Sequence, residues 1–197
     1  MNAPVNNLRQ PGHPIDDQFR ARWSPRAFAD DTMTEAQVLT LLEAARWAPS
    51  ASNLQPWRFV YGLRGDKGFA AIAEALVPFN RMWAEKAAAL IVVASKTTTP
   101  KDGVEVPNPL HAFDTGTAWG HLALQAHLAG WISHGMAGFD PVIAALNLHL
   151  PDGYVIHAVV AVGRLGDPAS LPAMLQTREH PNDRVALSDI ARHGSFA

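Results

Sequence analysis

The side chains best placed to do chemistry lie in a few short polar stretches. Ala48–Phe59 reads Ala-Pro-Ser-Ala-Ser-Asn-Leu-Gln-Pro-Trp-Arg-Phe. Pro49 and Pro56 lock φ and disfavour helix just ahead of them. Between them stand Ser50, Ser52, Asn53 and Gln55, short side chains with both donors and acceptors. A rigid loop of this kind suits a flat polar ligand, although an ordinary helix stop has the same composition. In Phe19–Ala29, Arg20, Arg22 and Arg26 surround Ser24. Two guanidinium forks and a hydroxyl in Arg-x-Ser-x-Arg can converge on one phosphate, and a solvated basic turn would look the same. Gly135-Met-Ala-Gly-Phe-Asp140 carries glycines that let backbone approach a ligand closely. Asn182-Asp-Arg184 adds a late arginine.

Other chemistries lack their residues. Cys is 0, which excludes disulfides, zinc-thiolate sites and cysteine nucleophiles. The 9 histidines show no metal spacing. His121 and His127 are six apart, so they do not share a helix face as i, i+4 ligands would. There is no His-Glu-x-x-His, Gly-x-Ser-x-Gly, Walker loop or Gly-x-Gly-x-x-Gly. Net charge is −2, and no basic face interleaved with aromatics calls for nucleic acid. Met1–Asp17 has no apolar signal core, and the apolar run Ala87–Ala94 is too short to span a bilayer. The expectation is a soluble cytoplasmic protein. Residues 1–15 form a flexible arm ahead of one domain, 16–197.

Helices and strands must position these stretches. Thr32-Met-Thr-Glu35 reads as a capping box, with Thr34 and Gln37 as a second register. The helix runs to about Trp47, with Val38, Leu41, Leu42 and Ala45 on one apolar face. Arg58–Leu63 alternates as a strand. Lys67–Leu76 reads as a helix stopped by Pro78, with a second short helix over Met82–Ala88. Ala87–Ser95 suits a strand buried on both faces. Thr97–Pro109 reads as irregular. Asp114–Ala129 is a helix apolar nearly all round, either central or facing a second subunit. Trp131–Met136 and Tyr154–Val162 read as strands, and Asp140 caps a helix with Pro141 at its first position. The mixture argues α+β or α/β.

Arg22-Trp-Ser24-Pro-Arg26, Pro49-Ser-Ala-Ser-Asn-Leu-Gln-Pro-Trp57, Gly135–Asp140 and Asn182–Arg184 together resemble the FMN-dependent nitroreductase family, in the family's own order. The likeness spans about Phe19 to Ile190, and Pro-Ser-x-x-Asn-x-Gln-Pro-Trp is its most specific part. The resemblance implies an α+β fold with a central, mostly antiparallel sheet flanked by helices. It implies an intertwined homodimer with FMN at the interface. It also implies ping-pong transfer from NADH or NADPH to a small acceptor of nitroaromatic, quinone or enal type. Flavin N5 carries that chemistry, so no catalytic side chain and no metal is expected. By position, Arg22, Trp23, Ser24, Arg26 and Arg184 hold the phosphate and nearby ribityl oxygens. Pro49, Ser50, Ala51, Ser52, Asn53 and Gln55 lie along the flavin from the partner subunit. Asn80 meets the pyrimidine edge, and Ala137 and Gly138 place backbone N–H groups near N5 and O4. Trp83, His111 and Phe113 fall at the substrate pocket.

The chain departs from the family in three places. Only Thr97–Phe113 stands where larger members insert extra helices, so this is a compact member. Asn182 replaces a frequent lysine, and Ala137 replaces a glutamate. Two other readings compete. One is an FMN store or sensor without nicotinamide turnover. The other is a flavin-fragmenting or dehalogenating relative.

Overall fold

The computed structural model describes residues 9–196. In chain order the elements are α1 (Asp17–Ala21), α2 (Glu35–Arg46), β1 (Trp57–Leu63), α3 (Lys67–Glu74), α4 (Pro78–Ala84), β2 (Ala89–Lys96), β3 (Thr98–Lys101), β4 (Val104–Pro107), α5 (His111–Leu128), β5 (Ile132–Met136), α6 (Pro141–Asn147), β6 (Tyr154–Gly163), α7 (Ala173–Gln176) and α8 (Leu187–Ile190). Among the described residues no helix is long and apolar enough to cross a membrane.

The main sheet has the order β1-β2-β6-β5, and each neighbouring pair is antiparallel. β2 lies inside it, and Ala89–Ser95 is buried throughout, as its unbroken apolar run requires. Successive residues serve opposite faces. Leu90 and Val92 pack with Phe69, Ile72, Trp83 and Val159 on one side. Ile91 and Val93 pack with Val38, Leu41, Leu122 and Val160 on the other. The fold is therefore α+β, a sheet between two helical layers. Each fully buried Ile, Leu or Val contributes about 1.5–3 kcal/mol.

α3 lies against β1 so closely that a side chain at Gly62 has no room. A Cβ there would stand 1.9 Å from the Phe69 backbone nitrogen. In β6 the ladder slips by one residue. Val93 pairs with Ala158 and Ala94 with Ile156, so His157 is the extra residue of a bulge.

Several expectations are corrected. The helix cap uses the second register: Thr34 Oγ1 accepts from Gln37 N, and Gln37 Oε1 accepts from Thr34 N. Pro78 opens α4 at its first turn instead of stopping α3, because its missing N–H is an orphan there anyway. Asn80 thus lies inside a helix, and Met82–Ala88 is not a helix of its own. Thr97–Pro109 is largely the hairpin β3–β4. Its turn is Asp102-Gly103, both at positive φ (51° and 80°), the pair that favours a tight two-residue hairpin turn. α5 begins at His111, three residues early, led in by Asn108, whose Oδ1 accepts from Leu110 N. Of the expected arm, residues 1–8 lie outside the described residues. Arg9 is only 8% exposed.

The Gly62 contact generates a test. Gly62→Ala should lower stability by about 3 kcal/mol or more, since backbone meets backbone and no side chain can swing aside. Urea denaturation measures it; near-native stability would show that α3 moves off β1 at little cost.

Candidate functional site

An arginine-lined cradle forms where the two ends of the chain meet. Asp16 caps α1 by accepting from Gln18 N, and the chain leaves Ala21 extended through Arg22. Beyond it, Phe28 bridges Leu165, Ala29 N donates to Arg164 O at 3.0 Å, and Gly166 N donates to Ala27 O at 2.9 Å. Gly166 is needed there, because a Cβ would sit 2.5 Å from the Phe28 carbonyl carbon. Glu179 completes the anchor. Its Oε1 accepts from Arg26 N at 2.6 Å and from Ala27 N at 2.8 Å, and Arg26 Nη1 lies 3.8 Å from Oε2.

The result is a cavity of about 190 Å³ lined by Arg22, Trp23, Ser24, Arg26 and Arg184, the expected set. Asn182, from the same stretch as Arg184, lines it too, as do Arg9, His134, Arg178 and His180, whose part reading the sequence did not find. Arg178 and His180 flank Glu179 in sequence, a cue visible only once the tail is known to fold back. Burial lowers the Arg22 pKa, and the charges of Arg184 and Arg9 lower it further. Burial also lowers that of Arg26, with Glu179 opposing. Arg26 Nε is buried with no hydrogen-bond partner among the described residues. A small space dense with like charge is built to hold an anion.

Trp83 is corrected from the expected substrate pocket to the core. It is 1% exposed and stacks on Phe28. It lies beneath the cradle, its ring centroid 4.7 Å from that of His134 and 5.9 Å from the Arg26 guanidinium carbon. His134 Nδ1 donates to Pro25 O at 3.1 Å. Burial pushes the His134 pKa down to about 4, so the ring is neutral near pH 7.

The polar loop is ordered by strain and by one buried acid. Ser52, Asn53 and Gln55 have φ of 49°, 55° and 48°. Such a run costs energy outside glycine, of order 1 kcal/mol or more per residue. Ser50 Oγ accepts from Gln55 N, and Asp114 Oδ2 accepts from Ala51 N at 3.2 Å. Ser52 and Asn53 are exposed, and no residue from Pro49 to Gln55 lines the arginine cradle of its own chain.

Asn80 and Gly138 do come together: Asn80 Nδ2 donates to Gly138 O at 3.0 Å, which also accepts from Val77 N. Ala137 is exposed beside them. A groove of about 630 Å³ runs alongside, lined by Val77, Met82, Asp140 and Ile143.

His111 belongs to a cluster with partners that sequence spacing hides. Ser95 Oγ lies 2.7 Å from His111 Nδ1 and 2.7 Å from His157 Nε2. One hydroxyl proton serves one ring, so the other ring must donate. Burial and the nearby His111 lower the His157 pKa. Phe113, two residues further along α5, is 75% exposed.

The buried imidazole makes stability depend on pH. The His134 pKa falls from 6.5 to about 4 on folding. The folded state then binds fewer protons, so stability is full above pH 6.5 and drains as pH falls toward 4, by up to about 1.4 kcal/mol per pH unit. His134→Gln should flatten that acid limb in urea midpoints measured across pH; an unchanged limb would assign it elsewhere.

Comparison with known proteins places this arrangement. Residues 19–80 match the Nitroreductase family. The chain is 34% identical over 149 residues to an uncharacterized 15.4 kDa protein of Mycolicibacterium smegmatis, covering 71% of this chain and 97% of that one. It is 29% identical over 171 residues to an NADH dehydrogenase of Thermus thermophilus, covering 72% and 82%. A crystal structure of an oxidoreductase containing FMN superposes with a TM-score of 0.95 at 43% identity, covering 99% of each chain. The chain belongs to the nitroreductase family.

Proposed function

We propose that this oxidoreductase binds FMN, takes hydride from NADH or NADPH and passes electrons to a small organic acceptor in a ping-pong sequence. The observation that carries the reading is the cradle. Its cavity of about 190 Å³ is lined by Arg22, Ser24, Arg26 and Arg184, and it holds a buried Arg26 Nε still lacking a partner. That donor set fits the dianionic phosphate of a flavin mononucleotide. FMN, when bound, supplies hydride transfer at N5.

The chain's own residues bind and orient. Arg22 and Arg184 neutralise the phosphate, and Glu179 keeps Arg26 aimed by holding its backbone. Neutral His134 adds a polar wall without adding a charge. Asn80, tied to Gly138, stands ready for the ring's pyrimidine edge, and Ala137 and Gly138 offer backbone N–H groups beside it. Ser50, Ala51, Ser52 and Asn53 serve a second copy's cofactor in a homodimer. The absence of Pro49–Gln55 from the lining of its own cradle supports that reading, as do exposed Trp47 (71%) at the end of α2 and Leu128 (65%) and Phe113 (75%) on α5. His111 and Phe113 border the substrate space. A store or sensor would need side chains filling the space over a bound flavin, and Trp83, buried in the core, is not there to fill it.

Two measurements test this. The purified protein should be yellow or take up added FMN, and anaerobic NADH or NADPH should bleach its visible flavin band. A yellow protein that neither nicotinamide bleaches would overturn the enzymatic reading. Arg22→Ala should weaken FMN binding about tenfold or more, followed by quenching of flavin fluorescence; unchanged affinity would remove Arg22 from the phosphate.

A further inference from the structure

We propose that Arg9, on the segment ahead of α1, is an anion-binding residue that closes the cradle over the phosphate of a bound phosphate monoester. The N-terminal arm thereby becomes part of the site. This rests on the FMN reading above and extends it to a residue outside the family motifs.

Arg9 is buried at 8% exposure, while Gln10 and Pro11 beside it are exposed. Its Nη1 donates to the carbonyl oxygen of Arg22 at 3.3 Å, so the arm is pinned by the very residue expected to grip the phosphate. Its side chain lines the same cavity as Arg22, Ser24, Arg26 and Arg184. A guanidinium presents five N–H donors in a rigid fork, so bonds within the chain and a contact to an anion are compatible on one side chain.

Charge supplies the second line of argument. Burial lowers the Arg9 pKa, Arg184 and Arg20 lower it further, and Asp183 raises it. Arg22 is lowered in turn by Arg184 and Arg9. Like charges are thus packed around one small space from the arm, the segment after α1 and the C-terminal segment. A dianion placed between them turns mutual repulsion into shared attraction, and it draws these separate pieces of chain onto one point. The place of this cationic fork in the lining of the cavity suits it to an anion held there.

FMN and riboflavin separate the two roles, because they differ by the phosphate alone. Dissociation constants for both are read by fluorescence quenching on the wild type, Arg9→Gln and Arg9→Lys. Arg9→Gln should weaken FMN about tenfold and leave riboflavin unchanged, with Arg9→Lys between. Inorganic phosphate should raise the Tm of the flavin-free wild type more than that of Arg9→Gln. FMN affinity unaltered in Arg9→Gln, or FMN and riboflavin lost in equal proportion, overturns the assignment and leaves the cofactor reading standing. A wild type that binds neither flavin overturns both. Should Arg9→Gln fail to fold, Arg9→Lys keeps the charge and reads the same FMN-to-riboflavin ratio.

Discussion

One buried carboxylate completes the junction between the segment after α1 and the C-terminal segment. The Glu179 side chain has no exposure and its Oε1 accepts two successive backbone N–H groups, Arg26 and Ala27. Burying a carboxylate costs several kcal/mol in desolvation, which only good hydrogen bonds and an opposite charge offset. Here Oε1 takes bonds of 2.6 and 2.8 Å, while Oε2, without a hydrogen bond among the described residues, has the Arg26 guanidinium 3.8 Å away. The arrangement directs the arginines. With the backbone at Arg26 held from behind, Arg22, Ser24 and Arg26 line one cavity together with Arg178 and Arg184. Without that carboxylate the cradle would lose its rear support and the tail its anchor.

The sheet sets the rest. β2 and β6 fill both helical layers, so the strands cannot shift register without exposing apolar side chains. The slip at His157 is tolerated because it turns one ring toward the buried Ser95 hydroxyl, where His111 waits at the start of α5. Three residues later, Asp114 holds the polar loop through Ala51 N. The first turn of α5 therefore braces both the histidine cluster and the strained loop. The three positive-φ residues of the loop persist because prolines at each end and that buried acid over-determine its path.

Much of the architecture was legible from local chemistry. The apolar face Val38, Leu41, Ala45 and the unbroken run of β2 announce burial by period alone. Asp140 followed by Pro141 announces a helix start. The misreadings have physical causes. Pro78 reads as a stop because proline both ends and begins helices, and only its neighbours in space choose. Thr97–Pro109 looked irregular because prolines obscured the Asp102-Gly103 turn. Trp83 looked available because an aromatic near polar residues suits a pocket and a core equally. Its position beneath Arg26 and His134 depends on how α4 packs on Phe28.

By itself the sequence determined the family, through the order and spacing of Arg22–Arg26, Pro49–Trp57, Gly135–Asp140 and Arg184. It also determined the alternation of burial along the main elements, because both are properties of neighbours along the chain. Tertiary structure alone decided which remote groups meet. Glu179 finds Arg26 across 153 positions, Ser95 finds His157 across 62, and Arg9 finds Arg22 across 13. No periodicity encodes such pairs. They arise when strands and helices have packed, and burial then makes each polar group seek the partner that packing has brought within reach.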